Sequence, residues 1–147
     1  IDWGYVGKIN DVDIEPIQAY TLSDIIPVIT PLAKDSLGKL YNVNADEAAT
    51  ALACALKARK LVFLSDVPGL LRDPSDLDSL ISTLHIHQVE ELIEREVIIG
   101  GMLPKIKGMV KAVKSGIRKA HIIDSSMSHS LLLELFTSDG VGTEIVE

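Results

Sequence analysis

The stretch that most narrows what this chain can become is KLVFLSD, Lys60 to Asp66. It is a continuous apolar run closed by an aspartate, without the polar alternation of a half-wet strand. Such a run reads as a β-strand buried on both faces, the kind found in parallel sheets. RKAHIIDS, Arg118 to Ser125, reads as another. Parallel strands are joined by crossovers, usually helical, so the segments around these runs have to supply helices.

They do. NADEAATALACALKARK opens with Asn44 in the capping place and Glu47 three residues later, the spacing of a capping box. Its Ala and Leu residues let it lie close against a sheet, with Cys54 as core. In HIHQVEELIEREVI, Ile86, Val89, Leu92 and Ile93 fall at helical spacing. GGMLPKIKGMVKAVKSG carries an apolar stripe of Met102, Leu103, Ile106, Met109, Val110 and Val113 and stops at Gly116. SHSLLLELFTS reads as a helix capped by Ser128. Three further segments read as extended: DIIPVITPL as a short buried strand, KDSLGKLYNV as a hairpin, and GVGTEIV, Gly140 to Val146, as a closing strand. VPGLLRDPSDLDSL reads as loop. The alternation predicts an α/β fold. With no repeat, low-complexity tract or linker, residues 1–147 read as one domain.

Composition excludes several classes. Hydrophobic residues make up 47% and aromatics 4%, which predicts an aliphatic core. A net charge of -7 argues against broad binding to nucleic acid or an anionic membrane. No apolar run is long enough to span a bilayer, and no signal-peptide pattern is present. The single cysteine rules out an internal disulfide framework and fits a reducing cytoplasm. The chain opens IDWGYVGKIN without an initiator Met and reads as a processed product or a piece of something longer.

Polar residues gather at strand-to-helix junctions, where open α/β sheets hold ligands. On a wheel of about 100° per residue, Lys107, Lys111 and Lys114 cluster opposite the apolar stripe. Lys105 stands apart on the other flank, in the first turn, where the helix dipole disfavours a cation. Two glycines and free first-turn N–H groups make this a place for an anion such as phosphate; the alternative is one more surface lysine. In YNVNAD, alternation puts Asn42 and Asn44 on one side of the backbone, able to donate to a carboxylate or amide. Asp46 follows, able to orient a lysine. A cap with its Asx turn accounts for Asn44 but not for Asn42. LSDVPGLL suits a nucleotide-lining loop or a plain turn. Glu134 beside two glycines could hold a guanidinium or ammonium group, or simply be solvated. His85 and His87 could be half a metal site, but no further ligands stand near them, and a pair at a loop or helix start fits better. No P-loop, GxGxxG, GxSxG or CxxC motif is present, and no metal site is expected.

Taken together, GYVGKI, IPVITPL, YNVNADEAATALA, LVFLSDVPGLL, IIGGMLPKI, HIID and LLLELFTSDGVGTEIV resemble, in order, the C-terminal half of the acetylglutamate kinases of the amino acid kinase family. The resemblance implies half of a three-layer α/β sandwich around a mainly parallel sheet, the carbamate kinase-like fold. It implies transfer of the γ-phosphoryl of ATP, taken as its Mg²⁺ complex, to the side-chain carboxylate of N-acetyl-L-glutamate in arginine biosynthesis. It assigns Asn42 and Asn44 to acetylglutamate, Asp46 to orienting the catalytic lysines, and Lys105 to the transferring phosphates. Asp66, Val67, Pro68, Gly69, Leu70 and Leu71, with Val97, Ile98 and Ile99, are assigned to the nucleotide. His121, Glu134 and Gly140 match a feedback L-arginine site. Homo-oligomers of the full-length parent and a nitrogen-signalling protein partner follow from the same likeness. The glycine-rich phosphate loop, the first catalytic lysine and the acetylglutamate-gripping arginine have no counterpart here, so the 147 residues are expected to be inactive alone. An alternative is a non-catalytic arginine-sensing or partner-binding module. Another amino acid kinase, such as a glutamate 5-kinase or aspartokinase, fits YNVNAD and the C-terminal ending less well.

Overall fold

A computed structural model describes residues 4–137 and 140–147. Helix α1 (Glu15–Leu22) comes first, then a hairpin of β1 (Leu32–Lys34) and β2 (Leu40–Asn42), then α2 (Ala45–Ala55) and β3 (Lys60–Ser65). A long loop with one 3-10 turn leads to β4 (Thr83–His85) and α3 (Val89–Glu94). The chain ends with α4 (Met102–Lys114), β5 (Lys119–Asp124), α5 (Ser130–Phe136) and β6 (Thr143–Val146). Four strands form one sheet in the order β3-β5-β6-β4. β3 runs parallel to β5, and β4 parallel to β6; the β5–β6 pair is antiparallel.

The two faces of this sheet do different work. Side chains alternate along a strand. Leu61 and Phe63 of β3, Ala120 and Ile122 of β5, and Ile145 of β6 share the hydrophobic core with Ala53 of α2 and with Ile106, Met109 and Ala112 of α4. Each of the three α4 residues is fully buried, and covering a side chain the size of Ile106 or Met109 contributes about 1.5–3 kcal/mol. The alternate positions, Lys60, His121 and Glu144, face the other way, where α5 brings Glu134 to Lys60 and His121. Helices thus cover both faces of a mainly parallel sheet.

Most elements follow from local sequence. Asn44 caps α2, its side-chain oxygen accepting the N–H of Glu47 at 3.0 Å. α4 keeps its apolar stripe inward and Lys107, Lys111 and Lys114 outward. Four expectations fail. Residues 25–30 form no strand: Ile26 is 88% and Val28 94% exposed. Pro27 and Pro31 remove two ladder donors, and pairing begins only at Leu32. Ser128 does not cap α5; His129 takes that position in a left-handed conformation, φ 62°. α3 is only 6 residues long, because a 3-10 turn, Ile86–Gln88, takes the start of its segment. β4 forms just before that turn, where no strand is expected. Ser138 and Asp139, inside the C-terminal ending, lie outside the described residues.

Candidate active site and a second cavity

The register of the αβ units decides which residues meet. α2 and α4 each precede a strand and run back along it, so both helix N-termini lie at the C-terminal edge of the sheet. Asp46 is the second residue of α2, and Lys105 sits in the first turn of α4. The helices can approach closely because Gly108 has no Cβ; one built there would lie 2.6 Å from Thr50 Oγ1. Lys105 Nζ consequently donates to both carboxylate oxygens of Asp46, at 2.9 and 3.0 Å. The ammonium also lies 5.5 Å from the centroid of the Phe63 ring. Both partners are about one-fifth exposed, at 23% and 20% of their side-chain surface. A lysine at a helix N-terminus opposes the dipole; here the carboxylate holds it in place while leaving part of it open to a ligand.

Asn42 and Asn44 stand on the same rim. Both are exposed and flank the buried Val43, so their side chains share a side. The backbone of Asn42 is held by the first described segment, its N–H on the Tyr5 carbonyl at 2.8 Å and its C=O taking the Gly7 N–H at 2.9 Å. Its amide remains available. Asn44 has committed its oxygen to the cap, which leaves its NH₂ to donate.

The stretches assigned to nucleotide divide. Asp66, Val67 and Ile99 are exposed where β3 ends and before α4 begins. Pro68 and Leu71 are half-buried, and Gly69 is buried against Thr143. Leu70 and Ile98 belong to the hydrophobic core. The N–H of Leu70 donates to Thr143 Oγ1 at 2.8 Å and its carbonyl accepts from Ile81 at 2.9 Å, so Leu70 supports the loop from beneath. Val97 packs against the same core.

A second cavity, about 370 Å³, opens beside α5 and gathers His121, Glu134 and Gly140. Lys60, Lys119 and Glu144 complete its charged lining, and the sequence reading missed all three. Their signal was strand parity, since Lys60 and Glu144 fall on the face of His121. Glu134 is 5% exposed and accepts from Lys60 Nζ at 3.0 Å; its Oε1 also lies 3.0 Å from His121 Nδ1. Burial pushes the His121 imidazole below its ordinary range and outweighs the upward pull of Glu134. Its Nε2 is buried and has no hydrogen-bond partner among the described residues. Burial would raise Glu144, but hydrogen bonds from Lys119 and Thr83 hold its carboxyl below the usual range. The cavity therefore offers both carboxylate and ammonium groups, paired as Lys60 with Glu134 and Lys119 with Glu144.

His85 and His87 are stacked at 5.5 Å. His85 caps the 3-10 turn, its N–H donating to Gln88 Oε1 at 3.0 Å. Among the described residues no group of three or more His, Cys, Asp or Glu side chains has the geometry to hold a metal ion.

A sequence model of the amino acid kinase family matches residues 1–124. The chain belongs to the amino acid kinase family. Among curated members, it is 47% identical over 145 residues to an acetylglutamate kinase of Archaeoglobus fulgidus, covering 99% of this chain and 50% of that one. It is 49% identical over 143 residues to an acetylglutamate kinase of Methanosarcina acetivorans, covering 97% and 48%. The chain spans about half the length of the curated relatives it matches. Solved relatives within the fold include N-acetylglutamate synthase from Neisseria gonorrhoeae complexed with coenzyme A and L-arginine. That structure superposes with a TM-score of 0.88 at 30% identity, over 97% of this chain and 32% of that one. A Streptococcus mutans UA159 protein gives 0.81 at 33%, over 98% and 52%. A Giardia carbamate kinase, at 16% identity, TM-score 0.69 and coverage of 90% and 46%, shares the fold alone. The amino acid kinase fold expected from sequence is thus the one observed.

Among the described residues no helix is long and apolar enough to cross a membrane.

Proposed function

We propose that this chain is the nucleotide-binding half of an acetylglutamate kinase, which moves the γ-phosphoryl of MgATP to the side-chain carboxylate of N-acetyl-L-glutamate. The observation that carries the reading is the Lys105–Asp46 pair at the edge where two helix N-termini meet. Phosphoryl transfer needs little covalent help from protein; it needs alignment and neutralisation of charge on the equatorial oxygens. Lys105 supplies a fixed positive charge to the transferring phosphates; the first-turn N–H groups expected to be free are not, since those of Met102 and Leu103 donate to the Ile99 and Gly100 carbonyls and Pro104 has none, so the lysine carries the contact. Asp46 sets the position of the ammonium. Asn42 and Asn44 donate to acetylglutamate, and exposed Asp66, Val67 and Ile99 line the nucleotide. Identity of 47–49% to relatives named acetylglutamate kinase supports this acceptor over another amino acid.

A second reading concerns the α5 cavity. We infer that it takes L-arginine, whose guanidinium would sit on Glu134 and whose α-carboxylate would reach the lysines. The orphaned Nε2 of His121 would accept an N–H from such a ligand. The Neisseria N-acetylglutamate synthase structure is a complex with L-arginine and superposes over 97% of this chain, which supports the choice. A cytoplasmic setting, oligomers of the complete enzyme and a nitrogen-signalling partner accompany the family reading.

The experiment is a calorimetric titration of the chain with MgADP, alongside Lys105→Ala. Saturable binding weakened at least tenfold in the variant is expected. Equal binding by both would remove Lys105 from the site. Incubation with MgATP and acetylglutamate addresses the chemistry. The 147 residues are expected to turn over far more slowly than the roughly 1–100 s⁻¹ of kinases, and turnover in that range would show that one half suffices.

A further inference from the structure

Two helix-to-strand turns in this fold are copies of each other. In the first, Lys57 takes a left-handed φ of 49° and the Ala58 N–H returns to the Ala53 carbonyl at 3.0 Å. Arg59 and Lys60 then lead into β3. In the second, Gly116 takes φ 100° and the Ile117 N–H returns to the Ala112 carbonyl at 3.2 Å. Arg118 and Lys119 then lead into β5. Each turn also has the shorter bond, Lys57 to Cys54 at 3.2 Å and Gly116 to Val113 at 2.9 Å, so both are complete Schellman motifs. Because Lys60 lies opposite Lys119 in the parallel register, the two Arg-Lys pairs enter side by side, about 4.8 Å apart across the strands.

The lysines and the arginines have different partners. Lys60 is bound to Glu134 and Lys119 to Glu144, at 3.0 and 2.7 Å. Arg59 and Arg118 are exposed and make no ion pair among the described residues. All four line a cleft of about 730 Å³ with Leu135 as an apolar wall. A chain of net charge -7 therefore concentrates unneutralised positive charge in one concave place. The cleft lies at the N-terminal ends of β3 and β5, one helix length from Lys105; α2, with 11 residues, spans about 16 Å.

We propose that this cleft binds a phosphorylated small molecule through Arg59 and Arg118. Two neighbouring guanidinium forks offer parallel donors to one tetrahedral dianion. A monocarboxylate carries one charge where a phosphate dianion carries two, so it neutralises only one of the two guanidinium groups. Leu135 would cover the carbon part of the ligand.

The test titrates the full chain with inorganic phosphate at constant ionic strength, following backbone amide shifts around residues 57–60 and 116–119, with acetate as the comparison anion. Saturable binding is expected, with phosphate at least tenfold tighter than acetate. Arg59→Gln with Arg118→Gln should weaken it at least tenfold, whereas Lys105→Ala should leave it within twofold. Should the double glutamine variant lose its fold, Arg59→Lys with Arg118→Lys keeps the charge and removes the forks, and should weaken binding several-fold. Absence of saturation, equal affinity for acetate, survival in the variant that folds, or loss in Lys105→Ala would each overturn the proposal.

Discussion

Lys105 and Asp46, 59 residues apart, meet in a two-oxygen hydrogen bond because two separate αβ units place their helix N-termini at one edge. Neither residue has another ion-pair partner among the described residues. The pair is partly exposed, which limits its contribution; a charge-assisted contact of this kind contributes about 1 kcal/mol. Asp46→Ala and Lys105→Ala are each expected to lower stability by about that amount. The double variant should cost less than the two singles summed. Urea midpoints for the three variants close the cycle, and a coupling energy indistinguishable from zero would show that the contact does not hold the lysine.

The α5 cavity leads to a charge-selective expectation. If Glu134 receives a guanidinium, L-arginine should bind at least tenfold more tightly than L-citrulline, which has the same length without the positive charge. Glu134→Gln should remove that preference, because the carboxylate shared by Lys60 and His121 disappears. Calorimetry with both ligands reads the result; an undiminished preference in Glu134→Gln would move the guanidinium elsewhere.

His121 makes the fold sensitive to acid. It is 4% exposed, and burial holds its pKa below the ordinary value of 6.5. The unfolded chain therefore takes up a proton that the folded chain refuses. The stability from this site is fully present above pH 6.5 and declines as pH falls below it, until the folded-state value is passed. Within that window one proton limits the slope to at most about 1.4 kcal/mol per pH unit. His121→Gln should flatten the slope as pH falls below 6.5. Parallel stability curves for the two proteins over that range would place the acid sensitivity elsewhere.

Much of this was legible in the sequence wherever local rules and burial agreed. KLVFLSD and RKAHIIDS became adjacent parallel strands, and Asn44 became the cap. The odd placement of Lys105 was legible too, because a first-turn cation contradicts the helix dipole. DIIPVITPL misled because its apolar residues are exposed; apolarity signals burial only when a covering surface exists. α1 passed unnoticed although Glu15 and Pro16 mark its start, since its residues bury nothing. Strand parity puts Lys60, Lys119 and Glu144 on the face of His121, but their meeting in one cavity depends on the β3–β5 and β5–β6 registers, which no local pattern encodes. Leu70 and Ile98 sit inside stretches matched by family likeness, and only packing shows that their side chains face the core.

The two glycines before β6 are not equivalent, and the difference can be measured. Gly142 has φ 92° and lies so close to the chain that an added Cβ would collide with the Ile122 carbonyl oxygen. Ile122 pairs with Thr143 in the β5–β6 ladder, so the backbone there cannot retreat without breaking the sheet. Gly140 has nothing within 4 Å of a built Cβ among the described residues. Gly142→Ala therefore combines an unfavourable φ with an overpacked strand junction, each costing on the order of 1–3 kcal/mol. Gly140→Ala should shift stability by less than about 1 kcal/mol. Thermal melts of the two variants separate the readings. A large drop at Gly142 with little change at Gly140 is expected, and because Gly142 also lines the α5 cavity, the same drop should carry away arginine binding. Equal tolerance of alanine at both positions would mean that β6 can slide away from Ile122, and the register that brings Glu144 to His121 would no longer be fixed by this contact.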